Sequence, residues 1–234
     1  MRAGIFVLWL AVTLAVGRPA PRVDLETIVA EMQRQHERQQ AALCAYSCTR
    51  VYTLQNPHLS QSAVMTFEVT TSRTKGKQFQ LVSQQHVGFL VRHALMDIVE
   101  GEPKTEQEQK QSDIDPANYK FKLLGEQVLD GKLCYVLELS PRRSSKFLVE
   151  GKAWVDAQSY AIRRVKGRLA ESVSFWVGRP EVEENFAEVD GFWMPSHNSS
   201  LSHVKLVGPT TVDIQFFGYR FERCPSGESN DSPK

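Results

Sequence analysis

The chain has 234 residues, 41% of them hydrophobic, and its 28 Lys and Arg against 27 Asp and Glu leave a formal net charge of +1. A chain this balanced has no global field to draw in nucleic acid, and its length is enough for one domain with a sizeable core. Arg2 and the uncharged run Ile5–Val16 have the form of a signal peptide, too short for a membrane span of about 20 residues. Ala15-Val16-Gly17 supplies small residues for cleavage, so residues 1–17 are expected to be removed. Losing Arg2 with them brings the two charge signs into balance. The first cysteine, Cys44, lies too far along for lipid attachment. The rest is read as one domain over residues 18–224 and a disordered tail over 225–234, where nothing apolar follows Ser226.

Asp24 is a good N-cap, and Leu25, Ile28, Val29 and Met32 form a helical stripe that predicts a helix to about Leu43. Strand-like runs follow. Ser47–Leu54 carries Cys48, Arg50 and Tyr52 on one face; Met65, Phe67 and Val69 alternate with polar residues; Phe79 and Leu81 follow the Lys75-Gly76-Lys77 turn. Val87, Leu90, Val91, Ala94, Leu95 and Ile98 then match a helical stripe in full, with His93 and Asp97 pointing away. The charged stretch from Glu100 to Asp115 reads as a mobile connection with at most a solvated helical turn.

From Asn118 to Val165 the period-2 pattern is strongest. Tyr119, Phe121 and Leu123 alternate, Asp130-Gly131 makes a hairpin signal, and Leu133, Tyr135, Leu137 and Leu139 alternate again. Runs around Phe147–Asp156 and Tyr160–Ile162 complete this part. Further strands are predicted at Ser172–Val177, at Glu184–Val189 and, after a second hairpin signal at Asp190-Gly191, at Phe192–Met194. Pro195 is expected to break or edge that strand, and Leu201–Val207 and Thr211–Phe221 end the set. About eleven short strands and two main helices predict one curved antiparallel sheet or barrel.

Four cysteines, Cys44, Cys48, Cys134 and Cys224, allow three pairings or buried free thiols. A Cys44–Cys48 bridge would need a turning backbone, since on one strand they would lie roughly 13 Å apart. Enzyme signals fail one by one. His36-Glu37 has Gln at position 40 instead of a second zinc ligand, and there is no nucleophile elbow or phosphate-binding glycine loop. His197 and His203 would lie roughly 20 Å apart on a strand. Asn198-Ser199-Ser200 fits a glycosylation triplet that matters only in a host that glycosylates. No catalytic, metal-ligating or cofactor-binding set is predicted. Strand aromatics are abundant, and burying each contributes about 2–3 kcal/mol, so a concave apolar face with a ligand cavity is expected. The residues predicted to line it are Met65, Phe67, Phe79, Leu81, Leu90, Val91, Leu95, Phe121, Tyr135, Leu137, Trp154 and Trp176.

Several segments resemble the LolA-like superfamily of exported bacterial proteins. They are Asn118-Tyr119-Lys120-Phe121, Leu124-Gly125, Cys134-Tyr135-Val136-Leu137, Gly151-Lys152-Ala153-Trp154-Val155-Asp156, Ser174-Phe175-Trp176, Asp190-Gly191-Phe192-Trp193-Met194-Pro195 and Gly218-Tyr219. The resemblance implies an α+β, mainly antiparallel, half-open curved β-barrel with an N-terminal helix and a second helix covering the concave face. It implies a periplasmic, monomeric carrier of lipid or lipoprotein acyl chains, which takes cargo from an inner-membrane transporter to an outer-membrane acceptor. Arg50 is then the candidate lid contact. Relatives of the same fold act instead as envelope sensors that bind a protein partner.

Overall fold

The computed structural model describes residues 23–59, 62–173, 177–205 and 208–225. The expected signal peptide and nearly all of the expected tail lie outside them. Helix α1 (Leu25–Ala42) starts where Asp24 Oδ1 accepts a 2.7 Å hydrogen bond from the Thr27 amide, satisfying one of the helix's orphan donors. Its stripe buries Ile28, Val29 and Met32. Its C-terminal half is pinned by Gln39, whose side chain donates to the Trp193 carbonyl at 2.9 Å and accepts from the Trp193 amide at 2.8 Å.

Strands β1 (Leu43–Gln55), β2 (Ala63–Ser72) and β3 (Gly76–Gln85) form a meander. Helix α2 (Phe89–Gly101) and the short α3 (Glu106–Lys110) then carry the chain to β4 (Tyr119–Leu129). Strands β5 (Lys132–Pro141), β6 (Val149–Asp156), β7 (Ile162–Leu169), β8 (Glu181–Val189), β9 (Phe192–Val204) and β10 (Gly208–Arg223) follow. All ten strands form one antiparallel sheet in the order β3-β2-β1-β10-β9-β8-β7-β6-β5-β4. The edges β3 and β4 do not pair, so the curved sheet stays a half-open barrel. The two Asp-Gly hairpins are as predicted. Asp130 and Gly131 have φ of 49° and 74°, and Asp190 and Gly191 have 50° and 83°, the paired positive values of a turn that matches strand twist. Between β6 and β7, a Cβ on Gly151 would lie 2.2 Å from the Lys166 carbonyl oxygen, so only glycine permits this approach.

Ten strands are described where about eleven were expected. The Phe192–Met194 and Leu201–Val207 runs are one strand over Phe192–Val204, continuous through Pro195. Pro195 pairs with Phe186 where the β8–β9 register shifts, and a proline is tolerated at such an irregularity. Of the Ser172–Val177 expectation, 174–176 lie outside the described residues. Ser172, Val173 and Val177 are not in strand, and the Val173 amide donates to the Gly178 carbonyl at 2.8 Å.

The core falls into three groups. Leu95 and Val99 of α2 pack on Tyr52, Met65, Phe67 and Phe216 of β1, β2 and β10. Ile28, Val29 and Met32 of α1 pack on Tyr135, Leu137 and Val155 of β5 and β6. Tyr119, Leu139, Leu148, Val149, Ala153 and Val165 form the third. The two helices therefore cover opposite ends of the concave face. Cys44 and Cys224 form a disulfide that joins the start of β1 to the segment after β10, while Cys48 and Cys134 are buried thiols.

Candidate ligand-binding concavity

Paired residues in an antiparallel sheet share a face, so the register locates the inner surface strand by strand. One inner row runs from Leu123 through Leu137, Ala153 and Val165. It continues through Glu184 and Asn198 to Ile214, Tyr52 and Met65. Both ends of this row are apolar and lie under a helix. Its middle, on β8 and β9, is polar and only half-buried. Asn198 of the glycosylation triplet faces inward here.

The predicted lining residues separate into distinct places. Met65, Phe67 and Leu95 are fully buried together under α2, with Phe79 half-buried and edge-on to Phe67 at 6.2 Å. Val91 packs on the same group. Tyr135 and Leu137 are buried under α1 instead, with Phe121 half-buried beside them. Leu81 is 37% exposed at the β3 edge, and Leu90 is 79% exposed. Leu95 and Val99 are the buried residues of α2, with Val91 and Ile98 half-buried on the same group, so Leu90 and Ala94 of the expected stripe face outward. The first turn carries Phe89, Leu90 and Val91 in succession, so its apolar residues do not fix the phase by themselves. Trp154 lies on the opposite face of β6 from the buried Ala153 and Val155, and its Nε1 donates to Gln127 Oε1 at 2.9 Å. Trp176 lies outside the described residues.

Arg50 stands at the centre of a buried polar group. Its Nη1 donates to Glu102 Oε2 at 2.9 Å, Lys77 Nζ donates to the same oxygen at 2.9 Å, and Tyr52 OH donates to Glu102 Oε1 at 2.7 Å. The Arg50 guanidinium also lies 4.9 Å from the Phe216 ring centre and 5.6 Å from that of Phe79. Glu102 is the C-cap of α2, so this group fastens the cover helix to the sheet. Burial pushes the Glu102 carboxyl up, but Arg50 and then Lys77 pull harder and hold it below the usual carboxylate range. Burial and Glu102 push the Tyr52 phenol up, which keeps it a donor. Glu184 behaves oppositely. Burial and then Glu102 raise its carboxyl, and Lys77 only partly offsets them.

Sequence reasoning missed Glu102, because its charged surroundings read as a solvated connection. Five residues of that connection form α3, whose capping box pairs Thr105 with Glu108. Glu184 carried a usable signal: it falls in phase with Val182 and Phe186, where an inward residue belongs. Elsewhere, a cleft of about 410 Å³ is lined by polar and charged groups, including Asp130, Asp156 and Arg163, with Arg163 over the Trp193 ring at 5.4 Å. Among the described residues no cluster of three or more His, Cys, Asp or Glu could hold a metal, and no helix is long and apolar enough to cross a membrane.

A model of a family of unknown function, DUF5686, matches residues 115–219. No curated protein matches the sequence. Among solved structures, a DUF1329 family protein from Desulfovibrio piger is 12% identical, with 88% of this chain and 95% of that chain covered and a TM-score of 0.47. A LolA superfamily protein from Nitrosomonas europaea is 13% identical, with 87% and 96% covered and a TM-score of 0.43. An outer membrane lipoprotein-sorting protein domain from Vibrio parahaemolyticus is 16% identical, with 86% and 94% covered and a TM-score of 0.45. The superfamily that the sequence resembles is thus represented among them.

Proposed function

We propose that this chain is an exported periplasmic protein that binds lipid or lipoprotein acyl chains in its concavity, as a carrier in outer-membrane lipoprotein sorting. The observation that carries this reading is the split cover: α1 and α2 shield opposite apolar ends of the concave face, and the inner faces of β8 and β9 between them are half-buried. An acyl chain entering there reaches apolar surface under either helix, each buried CH₂ contributing about 0.8 kcal/mol. The C-terminal end of α2 is fixed through Leu95, Val99 and Glu102, while Phe89 and Leu90 at its N-terminal end stand 85% and 79% exposed. Such a helix can lift from its free end while Glu102 keeps its hold on Arg50. Several acyl chains would bind tightly, so release calls for a partner, in this reading an outer-membrane acceptor. The test is to isolate the protein from its native envelope and identify bound molecules by mass spectrometry. Stoichiometric lipid or lipoprotein supports the reading. A lipid-free protein that also takes up no lipid from vesicles overturns it.

The exposed Phe89 and Leu90, with Val82 at 61%, favour a second reading as a regulatory module that docks a protein partner. It predicts site-specific crosslinking from position 90 to an envelope protein, with no lipid uptake.

A further inference from the structure

We propose that Glu184 and Asn198 form a seat for an ammonium group, so that the concavity selects amphiphiles with a cationic amine head on an alkyl chain. This rests on the lipid-binding reading and names the head group that the site accepts. The two residues pair directly across β8 and β9, which places both side chains on the inner face. Val165 lies beside Glu184 in the row and Ile214 beside Asn198, so the polar pair is flanked by apolar wall on both sides. Asn198 Oδ1 is shut off from solvent and has no hydrogen-bond partner among the described residues. An unmade bond of that kind is costly, and it marks a place where a donor is missing.

Among the described residues no cation pairs with Glu184 either. The charged groups that bear on it are Glu102 and Lys77, and the Lys77 ammonium is already held by Glu102 at 2.9 Å. Tyr119 is the phenol whose own titration Glu184 influences from the β4 side. The seat thus offers an ammonium two acceptors, the Glu184 carboxylate and the Asn198 amide oxygen. An ammonium brings three donors and a charge, and an alkyl chain attached to it would run along the apolar wall toward either helix. An anionic head would meet Glu184 with like charge. Burial raises the Glu184 carboxyl when the seat is empty, so an ammonium that binds the carboxylate competes with its proton. Affinity should then rise as pH climbs above the ordinary carboxylate range.

The test titrates monomeric dodecylammonium and dodecanol into the full chain by calorimetry, using wild type, Glu184→Gln and Asn198→Ala. Wild type should bind dodecylammonium about tenfold or more tightly than dodecanol. Glu184→Gln should remove most of that preference and its pH dependence, and should leave dodecanol affinity within about twofold. Asn198→Ala should weaken dodecylammonium selectively, by several-fold. Unchanged dodecanol binding and a cooperative melt report that each variant is folded. Equal wild-type affinity for the two probes, or a preference that survives Glu184→Gln, overturns the seat and leaves the lipid-binding reading standing. Failure of both probes to bind removes the lipid-binding reading, and the seat with it.

Discussion

Two interior carboxyls sit in one bowl and are driven in opposite directions. Glu102 is held ionised by Arg50, Lys77 and Tyr52, while Glu184 is raised by burial and by Glu102 itself. Removing Glu102 strands Arg50, whose side chain is 6% exposed, without its carboxylate. Glu102→Ala should therefore cost about 3 kcal/mol or more in urea unfolding, the usual result of breaking a buried pair. The lowered Glu102 value contributes stability that is present above the ordinary carboxylate range and lost as pH falls through the folded value. Glu184 has the reverse sign. Its raised value favours the folded state at low pH, and that contribution is lost as pH rises from the unfolded value through the folded one. Glu184→Gln should accordingly be more stable than wild type near neutral pH, with the two converging below the ordinary carboxylate range. Thermal melts across pH check this; a variant less stable than wild type at neutral pH would place an unseen ionic partner on Glu184.

At the scale of elements, α2 shows how a cover can be anchored on one seam and bare on the other. Leu95 is fully buried and Leu90 is 79% exposed, although both belong to the same sequence stripe. Leu95→Ala should cost about 2–5 kcal/mol, and Leu90→Ala should stay within about 0.5 kcal/mol, as measured by chemical denaturation. Much of the rest was legible from local chemistry. Asp24 and the Asp-Gly pairs specify a cap and two turns through their own side chains and φ preferences, and alternation placed Cys48, Arg50 and Tyr52 on one buried face. What stayed hidden depended on distance along the chain. The Arg50–Glu102 pair spans 52 positions, and nothing near Glu102 announces it. Trp154 was assigned to the cavity because its aromatic character outweighed its phase, yet it alternates with the buried Ala153 and Val155 and so faces away. Pro195 hid the continuity of β9, because a register shift in the neighbouring strand is a property of the pair and not of either sequence.

The whole molecule is closed at one seam. The first strand pairs with the last, so β1–β3 with α2 are joined to the other strands through the β1–β10 ladder and through the connection that carries α2 and α3. The Cys44–Cys224 bridge sits at the end of that ladder and spans 180 positions of sequence. Bringing such distant segments together is the costliest loop closure in the fold, and a crosslink removes that entropy from the unfolded chain. Replacing both cysteines with serine should therefore destabilise the protein by up to about 5 kcal/mol. Folding should also slow, because the β1–β10 pairing must then be found by diffusion across nearly the whole chain. Wild type unfolded in urea with a reductant should match the double serine variant, and without reductant it should be clearly more stable. The buried Cys48 and Cys134 should stay unreactive to thiol reagents in the folded protein under both conditions. A loss below about 1 kcal/mol would point to an unfolded chain that already holds β1 against β10, because residual structure across the seam offsets that entropy term.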